Sequence, residues 1–309
     1  MDNVAINAKQ AGQTLGDYSP TTEPILRSIR SRARRSVNPL KSKLGHRGPR
    51  RWAFRNPRRH LSRLTEPMVA YGQPLAHVGS GPVAIDAVIF DWGGTLTPWH
   101  SVDGSGLWSQ VCEPHFPPAE AAEYAAALHA AESELWRLSA TAHRSATMSQ
   151  LFELAGVLAT EAFLDSYVRA WEPHTFTDAD APPLLDFLRE RCIKVGVLSN
   201  TMWPRDWHDD VFRRDGVLHR IDGAVYSSEI DWTKPHPAAF AAAMTAVDVS
   251  DPARCVFVGD RPFEDVHGAK NAGMRSVLIA NSDVPPYPAA EPDAVISSLA
   301  DLRPLIDTW

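Results

Sequence analysis

The stretch Ala84-Ile85-Asp86-Ala87-Val88-Ile89-Phe90 constrains this chain most. It is short, mostly apolar and partly β-branched, and it runs directly into Asp91 and then Gly93-Gly94. Apolar residues on both faces predict a strand buried in a parallel sheet, and the glycines predict a tight loop after it. The pattern recurs: residues 194–198 lead into Ser199-Asn200, and residues 254–258 lead into Gly259-Asp260. Open α/β sheets bind ligands outside the carboxyl ends of their strands, so these polar residues are predicted to meet at one sheet edge.

Further strands are predicted over 224–227 and 276–280, and helices over 184–191, 238–247 and 264–272. Between the first two strands the pattern changes. Residues 119–138 are alanine-rich, and 148–158 and 161–171 carry apolar residues at helical spacing with no strand among them. The prediction is a Rossmann-like, doubly wound α/β core over 83–98 and 180–309, with an inserted α-helical cap over 99–179. Nothing in the pattern defines an oligomer.

Residues 1–82 differ from the rest. Up to residue 67 there are fifteen Lys and Arg against four acids, whereas the rest of the chain has sixteen against thirty-three. Few apolar residues and no period predict a disordered basic tail. Such a tail is the only part suited to nucleic acid, and a plain solvated extension is the preferred reading; the acidic body argues against polyanions. No run approaches the roughly 20 apolar residues of a membrane span. Cys112, Cys192 and Cys255 lie far apart, without metal-ligand or redox spacing. A soluble, cytoplasmic protein is expected.

Four segments carry candidate chemistry, and each alone is ordinary turn chemistry. Asp91-Trp92-Gly93-Gly94-Thr95 places a carboxylate on a loop whose backbone N–H groups can approach a phosphate. Ser199 and Asn200 offer a hydroxyl and an amide to anionic oxygens. Lys234, before Pro235-His236-Pro237, fixes a cation at a loop-to-helix junction. Asp260 and Asp265 are hard oxygen ligands that suit Mg²⁺, with N-capping as the rival role for Asp265.

In this order and spacing the segments resemble the four motifs of the haloacid dehalogenase superfamily, over roughly residues 84–309. The resemblance implies that Asp91 is a nucleophile forming an aspartyl intermediate. It also implies that Ser199 and Lys234 hold a phosphoryl group and that Asp260 with Asp91 binds Mg²⁺. The Gly93 carbonyl and Asp265 complete the expected metal set, and Asn200 the phosphate set.

One departure matters. Phosphatases of this superfamily usually carry Asp two positions after the nucleophile as general acid, and here Gly93 stands there. A phosphonoacetaldehyde hydrolase would need a cap lysine, yet none occurs between Lys43 and Lys194. A haloacid dehalogenase would lack Asp260. The expected function is a Mg²⁺-dependent phosphatase acting on a small phosphorylated metabolite. The alternative is a weak or inactive binder of the same ligands. His100 and His236 are candidates to replace the missing acid, and the roles of Trp108, His115, Trp136, Trp171 and Trp203, substrate-lining or core, stay open.

Overall fold

The structure, a computed structural model, describes residues 84–309; the tail expected over 1–82 lies outside them. Six parallel strands, β1 (Ala87–Phe90), β2 (Lys194–Ser199), β3 (Gly223–Tyr226), β4 (Cys255–Gly259), β5 (Arg275–Ile279) and β6 (Ala294–Ile296), form one sheet in the order β3-β2-β1-β4-β5-β6. The chain moves outward from β1 through β2 to β3, then returns to the other side of β1 with β4. The topological switch point therefore falls between β1 and β4, where Asp91 and Asp260 leave the sheet.

Alternation along β1 explains its uninterrupted apolar sequence. Val88 and Phe90 enter one hydrophobic cluster and Ala87 and Ile89 the other, all four fully buried. The first face is covered by α5 (Ala181–Glu190), through Leu184 and Leu188, and by α9 (Leu302–Ile306). The second is covered by α7 (Pro237–Ala246), through Ala239, Phe240 and Ala243, and by α8 (Gly268–Asn271), through Ala269.

Between β1 and α5 lie only helices: α1 (Gly104–Cys112), α2 (Pro118–Ala142), α3 (Met148–Ala155) and α4 (Glu161–Trp171), with a short 3₁₀ turn after α4. Thr147 and Gln150 form a reciprocal capping box at the start of α3, and Gly156 ends it in the left-handed region. The large side chains Trp108, Leu128, Leu151, Phe163 and Tyr167 of these helices belong to the same cluster as Val88 and Phe90, so the insertion and one sheet face share a hydrophobic core. The remaining helix, α6 (Arg205–Arg214), lies between β2 and β3.

Two local differences from expectation have physical reasons. The helix expected over 264–272 starts as a π-helical turn, Pro262–His267, because Asp265 folds back to accept from the Arg261 N–H at 2.9 Å. The first strand begins only at Ala87, because Asp86 makes the last backbone bonds to the neighbouring strands, its N–H donating to the Arg254 carbonyl at 2.9 Å and its carbonyl accepting from the Lys194 N–H at 2.8 Å, with Ala84 and Ile85 beyond them.

Candidate active site

Asp91 extends the β1 ladder by one residue, its N–H donating to the Val258 carbonyl at 2.9 Å. The loop then turns on itself: the Thr97 N–H and hydroxyl both donate to the Trp92 carbonyl, at 2.9 and 3.3 Å. Gly94 is the position that must be glycine. Its φ is +82°, and a Cβ there would stand 2.8 Å from Asp260 Oδ2. Close backbone approach thus brings the β1 loop against the carboxylate delivered by β4.

Asp91, Asp260 and Asp265 are all buried, and each offers an oxygen within 4.8 Å of the others. Lys234 lies among them, 2% exposed, with Nζ 2.8 Å from Asp91 Oδ1 and 2.6 Å from Asp265 Oδ1. Burial works against the Lys234 ammonium, but Asp265 and Asp91 outweigh it and hold its pKa above the usual lysine range. Asp260 and Asp265 both move up, chiefly by burial, with their carboxylate neighbours adding to it.

Asp260 is where a cation fits. Both of its oxygens are buried without accepting a hydrogen bond, although Arg261 Nε lies 3.2 Å from Oδ2. Three ionised carboxylates against the ammonium of Lys234 and the guanidinium of Arg261 leave the cluster with one negative charge in excess. An all-oxygen donor set with a net negative charge suits a hard divalent ion such as Mg²⁺.

Asp265 is more occupied: Oδ1 accepts from Lys234 and Oδ2 from the Arg261 N–H. It therefore pins the π-turn to the lysine and does not N-cap the following helix. Asn200 also differs from expectation. Its Nδ2 donates to the Lys234 carbonyl at 3.0 Å and its Oδ1 accepts from the Lys234 N–H at 2.8 Å, so the amide clasps the lysine's backbone. Ser199 faces the same space as Asp91, Gly93 and Lys234.

That space is a cavity of about 170 Å³. Trp136, Trp171 and Trp203 line it, whereas Trp108 is fully buried and His115 bonds Ser166 instead. His236 N-caps α7 and stacks on Trp232 at 3.9 Å. His100 packs against His174, and it is His174 that reaches the cavity. Sequence reasoning missed Glu132, Tyr167, His174 and Arg261 as lining residues. The one available signal was Glu132, an acid in the buried stripe of α2 that contains Ala121, Ala125 and Leu128.

The sequence profile of the haloacid dehalogenase-like hydrolases matches residues 85–273. With six parallel strands and the carboxylates gathered at the switch point, the chain belongs to this family of hydrolases. It is 31% identical over 134 residues to a glyceraldehyde 3-phosphate phosphatase of Methanopyrus kandleri, covering 40% of this chain and 56% of that protein. It is 30% identical over 123 residues to a phosphoserine phosphatase of Thermus thermophilus, covering 40% and 48%. The chain thus spans about half the length of these curated relatives. The fold is shared with a haloacid dehalogenase-type phosphatase from Thermococcus onnurineus, at TM-score 0.53, 22% identity and coverage of 72% of this chain and 98% of that one. An L-2-haloacid dehalogenase from Xanthobacter autotrophicus superposes with TM-score 0.52, 22% identity and the same coverage.

Proposed function

We propose that this protein is a Mg²⁺-dependent phosphomonoester hydrolase acting on a small phosphorylated metabolite. The observation that carries the reading is the Asp91–Lys234–Asp265 chain of contacts beside the Asp260 oxygens, which accept no hydrogen bond. The relatives named as phosphatases support it.

In this reading an Asp91 oxygen attacks phosphorus and the P–O bond to the ester oxygen breaks, leaving an aspartyl phosphate and an alkoxide that takes its proton from water. Water then attacks that phosphorus, which releases inorganic phosphate and restores the carboxylate. Lys234, kept protonated by its two carboxylate partners, holds Asp91 in place and faces the transferring oxygens with positive charge. Ser199 donates to the same oxygens, and Asn200 fixes the loop that carries Lys234. Asp91, Asp260 and the Gly93 carbonyl would hold Mg²⁺, with Asp265 behind them, and the ion would neutralise phosphoryl charge. We read residues 99–179 as the cap, which keeps bulk water from the cavity. The three free cysteines, and the lack among the described residues of any helix long and apolar enough to cross a membrane, support a cytoplasmic setting.

Gly93 favours a second reading, a binder with little turnover, because the position lacks an acid to protonate the leaving group. One assay separates them: phosphate release from p-nitrophenyl phosphate and a panel of metabolite esters with Mg²⁺. Asp91→Asn is expected to abolish turnover. Gly93→Asp is expected to raise it for esters with poor leaving groups, by as much as the roughly 10²- to 10⁴-fold of general acid help. Turnover that persists in Asp91→Asn removes the proposal, and none in the wild type favours the binder.

A further inference from the structure

Arg261 is a buried charge with unused donors. It follows Asp260 directly, lines the same space as Asp91, Ser199 and Lys234, and is 8% exposed. Its Nε lies 3.2 Å from Asp260 Oδ2, yet Nη1 is buried and has no hydrogen-bond partner among the described residues. The backbone is fixed: the Arg261 N–H donates to Asp265 Oδ2 at 2.9 Å, and its carbonyl accepts from the N–H groups of Asp265 and Val266 at 2.9 and 3.2 Å. The guanidinium carbon stands 4.7 Å from the centre of the Trp99 ring. The side chain is therefore held beside Asp260 while part of its donor fork stays unmet.

A buried donor left without a partner is unfavourable, and more so when it belongs to an ion. Asp260, the one ion-pair partner of Arg261 among the described residues, does not meet the need, because its oxygens accept no hydrogen bond and are the ones a cation would take. A divalent ion seated there would also turn the single excess negative charge of the cluster into a single positive one, so the guest that balances it is an anion. The phosphate-holding set expected from the sequence has room for a further donor. Asn200 is engaged by the Lys234 backbone, and the Lys234 ammonium is shared between Asp91 and Asp265.

We infer that Arg261 is a phosphate-binding residue, its guanidinium gripping the phosphoryl oxygens with Ser199 and Lys234 in the place expected for Asn200. This role rests on the proposed phosphate chemistry of the cavity and not on turnover. A guanidinium suits it because its N–H groups form a planar fork that meets two oxygens of one phosphate at once, which an ammonium cannot match. The carboxylates set the reach: Asp260, beside Arg261 Nε, offers an oxygen within 4.8 Å of one from Asp91, the attacking group.

The test is calorimetric titration of the full-length chain with inorganic phosphate in the presence of Mg²⁺. Arg261→Gln is expected to weaken phosphate binding by about tenfold to a hundredfold, the range for losing a charge-assisted hydrogen bond. Arg261→Lys, which keeps the charge without the fork, is expected to recover only part of the loss. The rise of Tm with Mg²⁺ is expected to survive in Arg261→Gln, which separates a grip on phosphate from support of Asp260. Wild-type phosphate affinity in folded Arg261→Gln, loss of the Mg²⁺ response together with phosphate binding, or no phosphate binding by the wild type overturns the inference. If the glutamine variant does not fold, Arg261→Lys decides the matter: weaker phosphate binding supports the role and unchanged affinity overturns it. Phosphate binding that depends on Arg261, without phosphate release from any ester, sinks the phosphatase reading alone; release from p-nitrophenyl phosphate with unchanged phosphate affinity in the variant sinks the role of Arg261 alone.

Discussion

Lys234 is the residue whose removal would cost the fold and the chemistry together. Without it, Asp91, Asp260 and Asp265 face one another with only Arg261 nearby, so Lys234→Met is expected to lose about 3–5 kcal/mol in denaturant unfolding, the range for breaking a buried ion pair. A change under about 1 kcal/mol would mean that the carboxylates are not charged together. His208 makes a separate pH prediction. It is fully buried, stacked on Tyr226 at 4.1 Å, and burial, then Arg205, pushes its pKa from 6.5 down to about 3. The unfolded chain therefore binds a proton that the folded chain refuses. This contribution is complete above pH 6.5 and is lost as pH falls toward 3, at roughly 1.4 kcal/mol per unit. Between pH 6.5 and 5 the wild type should lose about 2 kcal/mol more than His208→Gln. Parallel stability profiles for the two proteins would refute it.

At the scale of elements, the site depends on loops held by other loops. The Asn200 amide closes both ends of the Lys234 backbone, and the C-terminal end of α2 grips Thr233 just before the lysine: the Thr233 N–H donates to the His143 carbonyl at 3.0 Å, and Ser139 donates to the Thr233 hydroxyl at 3.1 Å. Asn200→Ala leaves two backbone groups without their partners, about 1–3 kcal/mol for each that stays buried. It is expected to lower kcat for phosphate release while the fold, followed by circular dichroism, survives. The strand-to-turn junction is tighter still. A Cβ at Gly259 would stand 2.2 Å from Asp265 Oδ2, with the Asp265 Cγ and Cβ at 2.3 and 2.5 Å. Gly259→Ala must displace the π-turn, so thermal unfolding should show both a lower Tm and a weaker response to Mg²⁺. Elements were legible where their period was clear. The strand predicted over 194–198 is Lys194–Ser199, and the helix predicted over 161–171 is Glu161–Trp171. Helix α6 was missed because only His208 and Phe212 of its ten residues are buried, Trp207 and Val211 pack at the edge of the core, and the other six are charged. Strand β6 has three residues, too few to show alternation.

For the whole molecule, an ion shared by β1 and β4 would also be a staple across the switch point. A ligand that binds only the folded state stabilises it by about 2.7 kcal/mol at a hundredfold excess over Kd, and a domain of this size gains roughly 2–4 °C per kcal/mol. Mg²⁺ is expected to raise Tm accordingly and EDTA to reverse the rise. Asp260→Asn should abolish the response, since it removes a charge from the carboxylate whose oxygens have no other hydrogen-bond partner. An Mg²⁺ shift that persists in Asp260→Asn would place the ion elsewhere.

The sequence by itself determined the sheet, the helical insertion and the four polar segments that the sheet edge brings together. Strand alternation and glycine placement are local properties, and parallel topology does the gathering. It also located the missing acid at Gly93. It did not determine that Asn200 serves Lys234's backbone, that Gly94 admits Asp260, or that Glu132 lines the same cavity as Lys234. A helical period says which side of α2 is buried but not what lies against it. Only the packing of α2 and α4 over the carboxyl edge of the sheet turned that stripe into the wall of a cavity.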